Sequence, residues 1–135
     1  MWTGKNMPYY PKEMNITAID FSPKMLEKAI ARANKLGLNI MLKLMDAQQL
    51  DFPENSFDVV ITAFVFCSVP DPIKGLNEIN RVLRKDGELI MLEHVRSNIE
   101  PLGTFMDTIN PLVVRIYGAN INRNTIDNIK KPIFK

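Results

Sequence analysis

Apolar positions along the chain alternate between short β-compatible runs and stripes at helical spacing. Ile16-Thr17-Ala18-Ile19-Asp20 is short, mostly apolar and ends on an acid, so it predicts a strand. Ser22-Pro23 follows; serine suits an N-cap and proline the first helical position. Met25, Leu26, Ala29, Ile30, Ala33 and Leu36 recur at helical spacing and Gly37 closes the run, which predicts a helix over 23–36. Residues 39–45 predict a second strand, again followed by an acid, Asp46. Residues 48–56 are polar and carry Pro53, so they read as a loop or a short helix and turn. Residues 57–63 form the third predicted strand, and its run Val59-Val60-Ile61 predicts burial on both faces. Asp71-Pro72 opens a second helix with an apolar stripe of Ile73, Leu76, Ile79, Val82 and Leu83. Lys85-Asp86-Gly87 reads as a tight turn, and residues 89–92 as a fourth strand with Glu93-His94 at its end. Farther on, residues 102–117 suggest a helix interrupted by Pro111, and 124–131 a capped helix cut short by Pro132. Residues 1–14, punctuated by Gly4, Pro8 and Pro11, read as loop.

This order of strands and helices predicts an α/β fold with a mostly parallel sheet and right-handed crossovers. Ligands of such open sheets lie beyond the carboxyl ends of the strands. The positions that matter are then those just after each strand: Asp20, Asp46, Ala63 and Glu93-His94.

Composition narrows the class. The chain has 135 residues, so residues 1–135 are expected to be a single domain. Hydrophobic residues make up 46% and charged residues 24%, which excludes a disordered chain. The net charge is +2 with scattered basic residues, so no nucleic-acid partner is expected. One cysteine, Cys67, cannot form an internal disulfide, which points to a reducing, cytoplasmic setting. No apolar run reaches the length of a membrane span, and no signal peptide is seen. Cys67 reads better as a small buried hydrophobe than as a nucleophile.

Asp20 comes 16 residues after Gly4. An acid at the end of a strand in a nucleotide-binding sheet can accept hydrogen bonds from both ribose hydroxyls. The plainer alternative is a helix cap, a role that Ser22 already fills. Asp46 can accept from the exocyclic amine of adenine while the Ala47 N–H donates to the ring; the alternative is a solvated loop acid. Phe21 and Met25 can pack on adenine, although Met25 equally belongs to the helical core stripe. A glycine near a strand-to-helix turn, such as Gly4, lets backbone approach a ligand closely.

Taken together, Thr3-Gly4-Lys5-Asn6, Ile19-Asp20-Phe21-Ser22-Pro23-Lys24-Met25-Leu26, Asp46-Ala47, Phe52-Pro53-Glu54-Asn55-Ser56-Phe57-Asp58, Arg81-Val82-Leu83-Arg84-Lys85-Asp86-Gly87 and Leu92-Glu93-His94 resemble a known pattern. It is that of the class I methyltransferases of the ubiquinone/menaquinone-biosynthesis type, with the related phospholipid and thiol methyltransferases. The resemblance runs from Thr3 to about Asn98. It implies a Rossmann-like core that binds S-adenosyl-L-methionine at Thr3, Gly4, Asp20, Phe21, Met25, Asp46, Ala47, Ala63 and Phe64. It also implies direct methyl transfer to a quinone, phospholipid or thiol, with the protein mainly aligning methyl and nucleophile. His94 is a candidate general base, since imidazole titrates near neutral pH; it equally suits a strand-end packing residue. No metal is implied.

Two departures shape the expectations. The family's first strand and leading glycines would precede Thr3, and Trp2 stands where a glycine is expected. The family's antiparallel C-terminal strands find no room after Pro132. The chain is therefore expected to be a core truncated at both ends. The first strand is central in the family, between the strands ending at Asp20 and Ala63. Its loss would leave backbone unpaired, met by rearrangement or by pairing with a second copy. A non-catalytic binding or interaction module derived from a methyltransferase is the alternative function. A dinucleotide dehydrogenase shares the ribose acid, but the 52–60 segment and the lack of a full glycine fingerprint disfavour it.

Overall fold

A computed structural model of the chain describes residues 4–93 and 101–117. Its elements are β1 (Ile16–Asp20), α1 (Pro23–Leu36), β2 (Ile40–Leu44), β3 (Phe57–Ala63), α2 (Pro72–Val82), β4 (Leu83–Leu92) and α3 (Leu102–Tyr117), preceded by a 3₁₀ turn at Met7–Tyr9. The fold is the α/β arrangement expected, with parallel strands throughout. Thr3, His94 and the 124–131 segment lie outside the described residues.

The strands form two parallel pairs, β1 with β2 and β3 with β4. Asp20 sits opposite Leu44 in the first register and Ala63 opposite Leu92 in the second. Among the described residues the pairs are not hydrogen-bonded into one sheet. The division falls between the strand ending at Asp20 and the strand ending at Ala63, where the resemblance places an additional strand.

α1 keeps the predicted bounds. Pro23 starts it, and Gly37 ends it in the left-handed region at φ 62°, its N–H donating to the Ala33 and Asn34 carbonyls. Ala29 and Ala33 are buried against Met7, Leu38, Ile40 and Leu42. Small alanines allow the helix to lie close on β2, and Met7 closes the cluster from the N-terminal side.

α2 opens at Asp71, whose carboxylate accepts the Lys74 N–H at 3.0 Å, with Pro72 in the first turn. Leu76 and Ile79 bury against Phe66 and Val69, with Val60, Leu89 and Met91 of β3 and β4 alongside. The second sheet is thus buried on one face. Val59 and Ile61 are 41% and 47% exposed, which corrects the expectation that β3 is buried on both sides. The β-branched run fits a pleated strand, but only alternate residues face α2, and no described element buries the other face.

The turn expected at Lys85-Asp86-Gly87 is also corrected: those residues lie within the bounds of β4. The register explains why. Phe57 pairs with Leu83 and Val59 with Glu88, so two steps on β3 face five on β4. The extra residues bulge out between these anchor points. Gly87 permits this, because a Cβ there would stand 2.8 Å from Leu83 Cδ1 and 2.9 Å from the Asp58 carbonyl oxygen.

Candidate functional site

The ends of β1, β2 and β3 carry most of the predicted site residues. Asp20 closes β1 and is half-buried, and its Oδ1 accepts the Ser22 N–H at 2.9 Å. Ser22 holds the N-cap position with extended backbone, but its side chain makes no capping bond. The division of labour expected from the sequence, with Ser22 capping and Asp20 spared, therefore does not hold. Asp20 itself orders the turn into α1. A carboxylate offers about four acceptor positions, so this bond and a ribose contact are compatible. Phe21, next along, is 68% exposed, and Met25 is half-buried one turn into the helix.

Beyond β2, the Met45 N–H extends the ladder to the Asp20 carbonyl at 3.0 Å. Asp46 is exposed, and Gln48 holds it on both oxygens. The Gln48 backbone N–H reaches Oδ1 at 2.9 Å, and its side-chain amide donates to Oδ1 at 3.1 Å and Oδ2 at 2.9 Å. The amide oxygen of Gln48 in turn accepts the Asp71 N–H at 2.9 Å. Asp46 is thus tied through Gln48 to the start of α2. Ala47 is half-buried and packs on the Phe66 cluster.

These bonds bring the loop after β2 against the segment after β3. A second clamp does the same lower down. Arg81 donates from Nε to Glu78 at 2.8 Å, from Nη1 to the Phe52 carbonyl at 2.7 Å and from Nη2 to the Leu50 carbonyl at 2.8 Å. Glu78 also accepts the Leu50 N–H at 2.7 Å. Its hydrogen bond with Arg81 holds the Glu78 carboxyl down at about 2, with the Leu50 N–H adding to the effect and burial opposing it.

Ala63 ends β3, and Phe64 follows with φ 54°, in the left-handed region. That conformation costs a side-chain-bearing residue of order 1–3 kcal/mol and persists only where its surroundings impose it. Here the Phe64 N–H donates to the Leu92 carbonyl at 2.8 Å. The next two N–H groups, Val65 and Phe66, donate to the Glu93 carboxylate at 3.0 and 3.1 Å. Thr62 Oγ1 lies 3.3 Å from the same carboxylate. Phe66 and Cys67 are buried, whereas Phe64 remains 37% exposed at the strand ends.

Asp20, Phe21, Met25, Asp46, Ala47, Ala63 and Phe64 therefore stand at carboxyl ends of parallel strands or just beyond. Gly4 stands elsewhere. It is buried with φ 67°, and a Cβ on it would meet Met7 at 2.8 Å and the Ala29 backbone at 3.5 Å. Ala29 is six residues into α1, about 9 Å along the helix from its start. Gly4 thus serves the packing of Met7 on α1. Of the pair Glu93-His94 that the sequence puts after the fourth strand, Glu93 is described, and its carboxylate organises the loop after β3, a role with no counterpart among the expectations. Its place after a strand is legible in the sequence; the bonds back to Val65 and Phe66, 28 and 27 residues earlier, leave no local sequence signal.

Among the described residues no group of His, Cys, Asp and Glu could hold a metal, and no helix is long and apolar enough to cross a membrane. The strand ends offer two carboxylates able to accept from hydroxyl or amine groups, half-buried Asp20 and exposed Asp46, and an exposed aromatic, Phe21, beside the first.

Comparison with known proteins identifies the family and the fold. The methyltransferase domain family matches residues 2–91. The chain is 38% identical over 102 residues to a phosphatidylethanolamine N-methyltransferase of Cereibacter sphaeroides, covering 74% of this chain and 50% of that protein. It is 39% identical over 88 residues to the ubiquinone/menaquinone biosynthesis C-methyltransferase UbiE of Bdellovibrio bacteriovorus, covering 65% of this chain and 37% of that protein. The chain thus spans half the length or less of these two relatives. Its fold is that of a SAM-dependent methyltransferase from Aquifex aeolicus, with a TM-score of 0.64 at 23% identity over 84% of this chain and 65% of that one. The family match over most of the chain and the shared fold converge: this chain belongs to the methyltransferase domain family, with a Rossmann-like core.

Proposed function

We propose that this chain binds S-adenosyl-L-methionine at the carboxyl ends of β1, β2 and β3, as part of a methyltransferase acting on a small or lipid-like acceptor. The observation that carries the reading is the pair of acids at neighbouring strand ends. Asp20 and Leu44 are in register, so Asp46 stands two residues beyond the level of Asp20. In this reading Asp20 accepts from the ribose hydroxyls. Asp46 and the Ala47 N–H meet the adenine edge, and Phe21 and Met25 flank the base. Ala63 and Phe64 border the methionine end. Bound there, the sulfonium supplies an already activated methyl group. The protein's part is to hold donor and acceptor in line and to keep water out.

The names of the similar proteins favour a phospholipid or a quinone as acceptor, and the sequence resemblance adds thiols. The buried, unbridged Cys67 supports a cytoplasmic setting. Isothermal titration with S-adenosylhomocysteine tests the cofactor reading. Binding by the parent chain, weakened roughly tenfold by Asp20→Asn through loss of a charge-assisted acceptor, is the expected result.

One observation favours a second reading, a non-catalytic binding or interaction module derived from a methyltransferase. The two strand pairs are not joined among the described residues, so the strand ends that flank the cofactor lack a common sheet. A folded chain with no affinity for S-adenosylhomocysteine would select this reading over the first.

A further inference from the structure

Glu93 follows β4, has no ligand contact assigned to it above, and gathers three bonds from the end of β3 and the segment after it. One carboxylate takes two consecutive backbone N–H groups, Val65 at 3.0 Å and Phe66 at 3.1 Å, and lies 3.3 Å from the Thr62 hydroxyl. The residue just before those two N–H groups is Phe64, with its left-handed φ of 54° and its exposed side chain. Phe64 is fixed from both sides. Its N–H is bound to the Leu92 carbonyl, and its carbonyl lies 3.3 Å from Cys67 Sγ. Phe66 cannot drift to relax the turn, because it is fully buried between Leu76 and Ile79.

We propose that Glu93 is a positioning residue: it holds the segment after β3 in the conformation that presents Phe64 to the cofactor. This rests on the cofactor reading above and assigns it a residue that touches neither the nucleoside nor the methyl group. The chemistry fits the task. Two N–H groups aimed at one point are best satisfied by an ionised acceptor, and a carboxylate can take both at once. Remove it and the two donors are left part-buried and unpaired. The left-handed turn at Phe64 then loses what imposes it, and an extended conformation at that residue becomes the lower-energy choice.

The test compares four proteins: the parent chain, Glu93→Ala, Glu93→Gln and Ile79→Val. Ile79→Val loosens the same core cluster from α2 without touching the carboxylate. Each is titrated with S-adenosylhomocysteine well below its melting temperature, and amide exchange is followed at Val65 and Phe66. Glu93→Ala should weaken binding roughly tenfold to a hundredfold, the scale on which displaced binding groups act, and should speed exchange at both amides. Glu93→Gln keeps one acceptor oxygen and should recover part of the loss. Ile79→Val should lower the melting temperature and leave affinity unchanged. If Glu93→Ala does not fold, Glu93→Gln carries the test, with weaker binding at retained fold expected. A folded Glu93 variant that binds like the parent overturns the proposal, as does an Ile79→Val protein weakened to the same degree. A parent chain that binds nothing overturns the cofactor reading itself, and this proposal with it.

Discussion

Acidification should strip away the contribution of one carboxylate, Glu78, and the structure sets both the sign and the size. Its carboxyl titrates at about 2 instead of the ordinary 4.5 because Arg81 bonds it, with the Leu50 N–H assisting. A depressed folded-state value means the ionised form is favoured in the folded chain. The stabilisation is therefore complete above pH 4.5 and disappears as pH falls toward 2. At about 1.4 kcal/mol per pH unit, the drop from 4.5 to about 2 corresponds to a ceiling of about 3 kcal/mol. The side chain is 22% exposed, so screening reduces the expected figure to about 2 kcal/mol. The assay is urea unfolding followed by circular dichroism at pH 7, 5, 4 and 3, for the parent chain and for Glu78→Gln. Glutamine keeps an acceptor for the Leu50 N–H but removes the charge. Other carboxylates titrate in both proteins and cancel in the difference. The parent should be more stable by about 2 kcal/mol at pH 7, and the gap should close steadily below pH 4.5. A gap that stays constant from pH 7 to pH 3 would refute the assignment.

Two further outcomes follow from packing and exposure. Gly75→Ala places a Cβ 2.9 Å from Phe66 Cε1, on a ring that is fully buried, so unfolding free energy should fall by about 1–3 kcal/mol in a urea titration. Arg84 pairs with Asp58 on the surface, where their side chains are 53% and 79% exposed, so Arg84→Ala should leave the urea midpoint unchanged within error.

The elements were legible in the sequence wherever a local signal was complete. Pro23 and Gly37 bracket α1 with a first-turn proline and a left-handed C-terminal glycine, and both ends fall where the spacing predicts. Asp71-Pro72 does the same for the start of α2. What failed were inferences that needed a neighbour. Val59-Val60-Ile61 describes a strand but not how many of its faces are covered. Lys85-Asp86-Gly87 describes a change of direction but not that Leu83 already pairs with Phe57. Ser22 has the composition of a cap, yet Asp20, two residues earlier, takes the Ser22 N–H into its own carboxylate. Competition between nearby polar side chains for one donor is decided by geometry that residue type does not encode.

The same limit explains why strand-end acids could be found from sequence and the loop-holding role of Glu78 and Glu93 could not. Asp20 and Asp46 are marked by position, each at or just past the end of an apolar run. Glu78 has no such mark, and Glu93, which the run 89–92 does mark as a strand-end acid, carries no sign of which loop it holds. Their partners lie 28 residues away at Leu50 and Val65. Both do the same physical job. A loop that leaves the end of a parallel strand has N–H groups facing inward, with no ladder to receive them, and burial makes their satisfaction obligatory. A carboxylate brought in from the next element satisfies them and fixes the loop's path. In this fold that arrangement recurs on both loops that follow β2 and β3, the loops that carry Asp46, Ala47 and Phe64. On the proposed reading, the precision of the site depends on residues that never reach it, and cutting a supporting bond should cost binding even though every contacting residue remains.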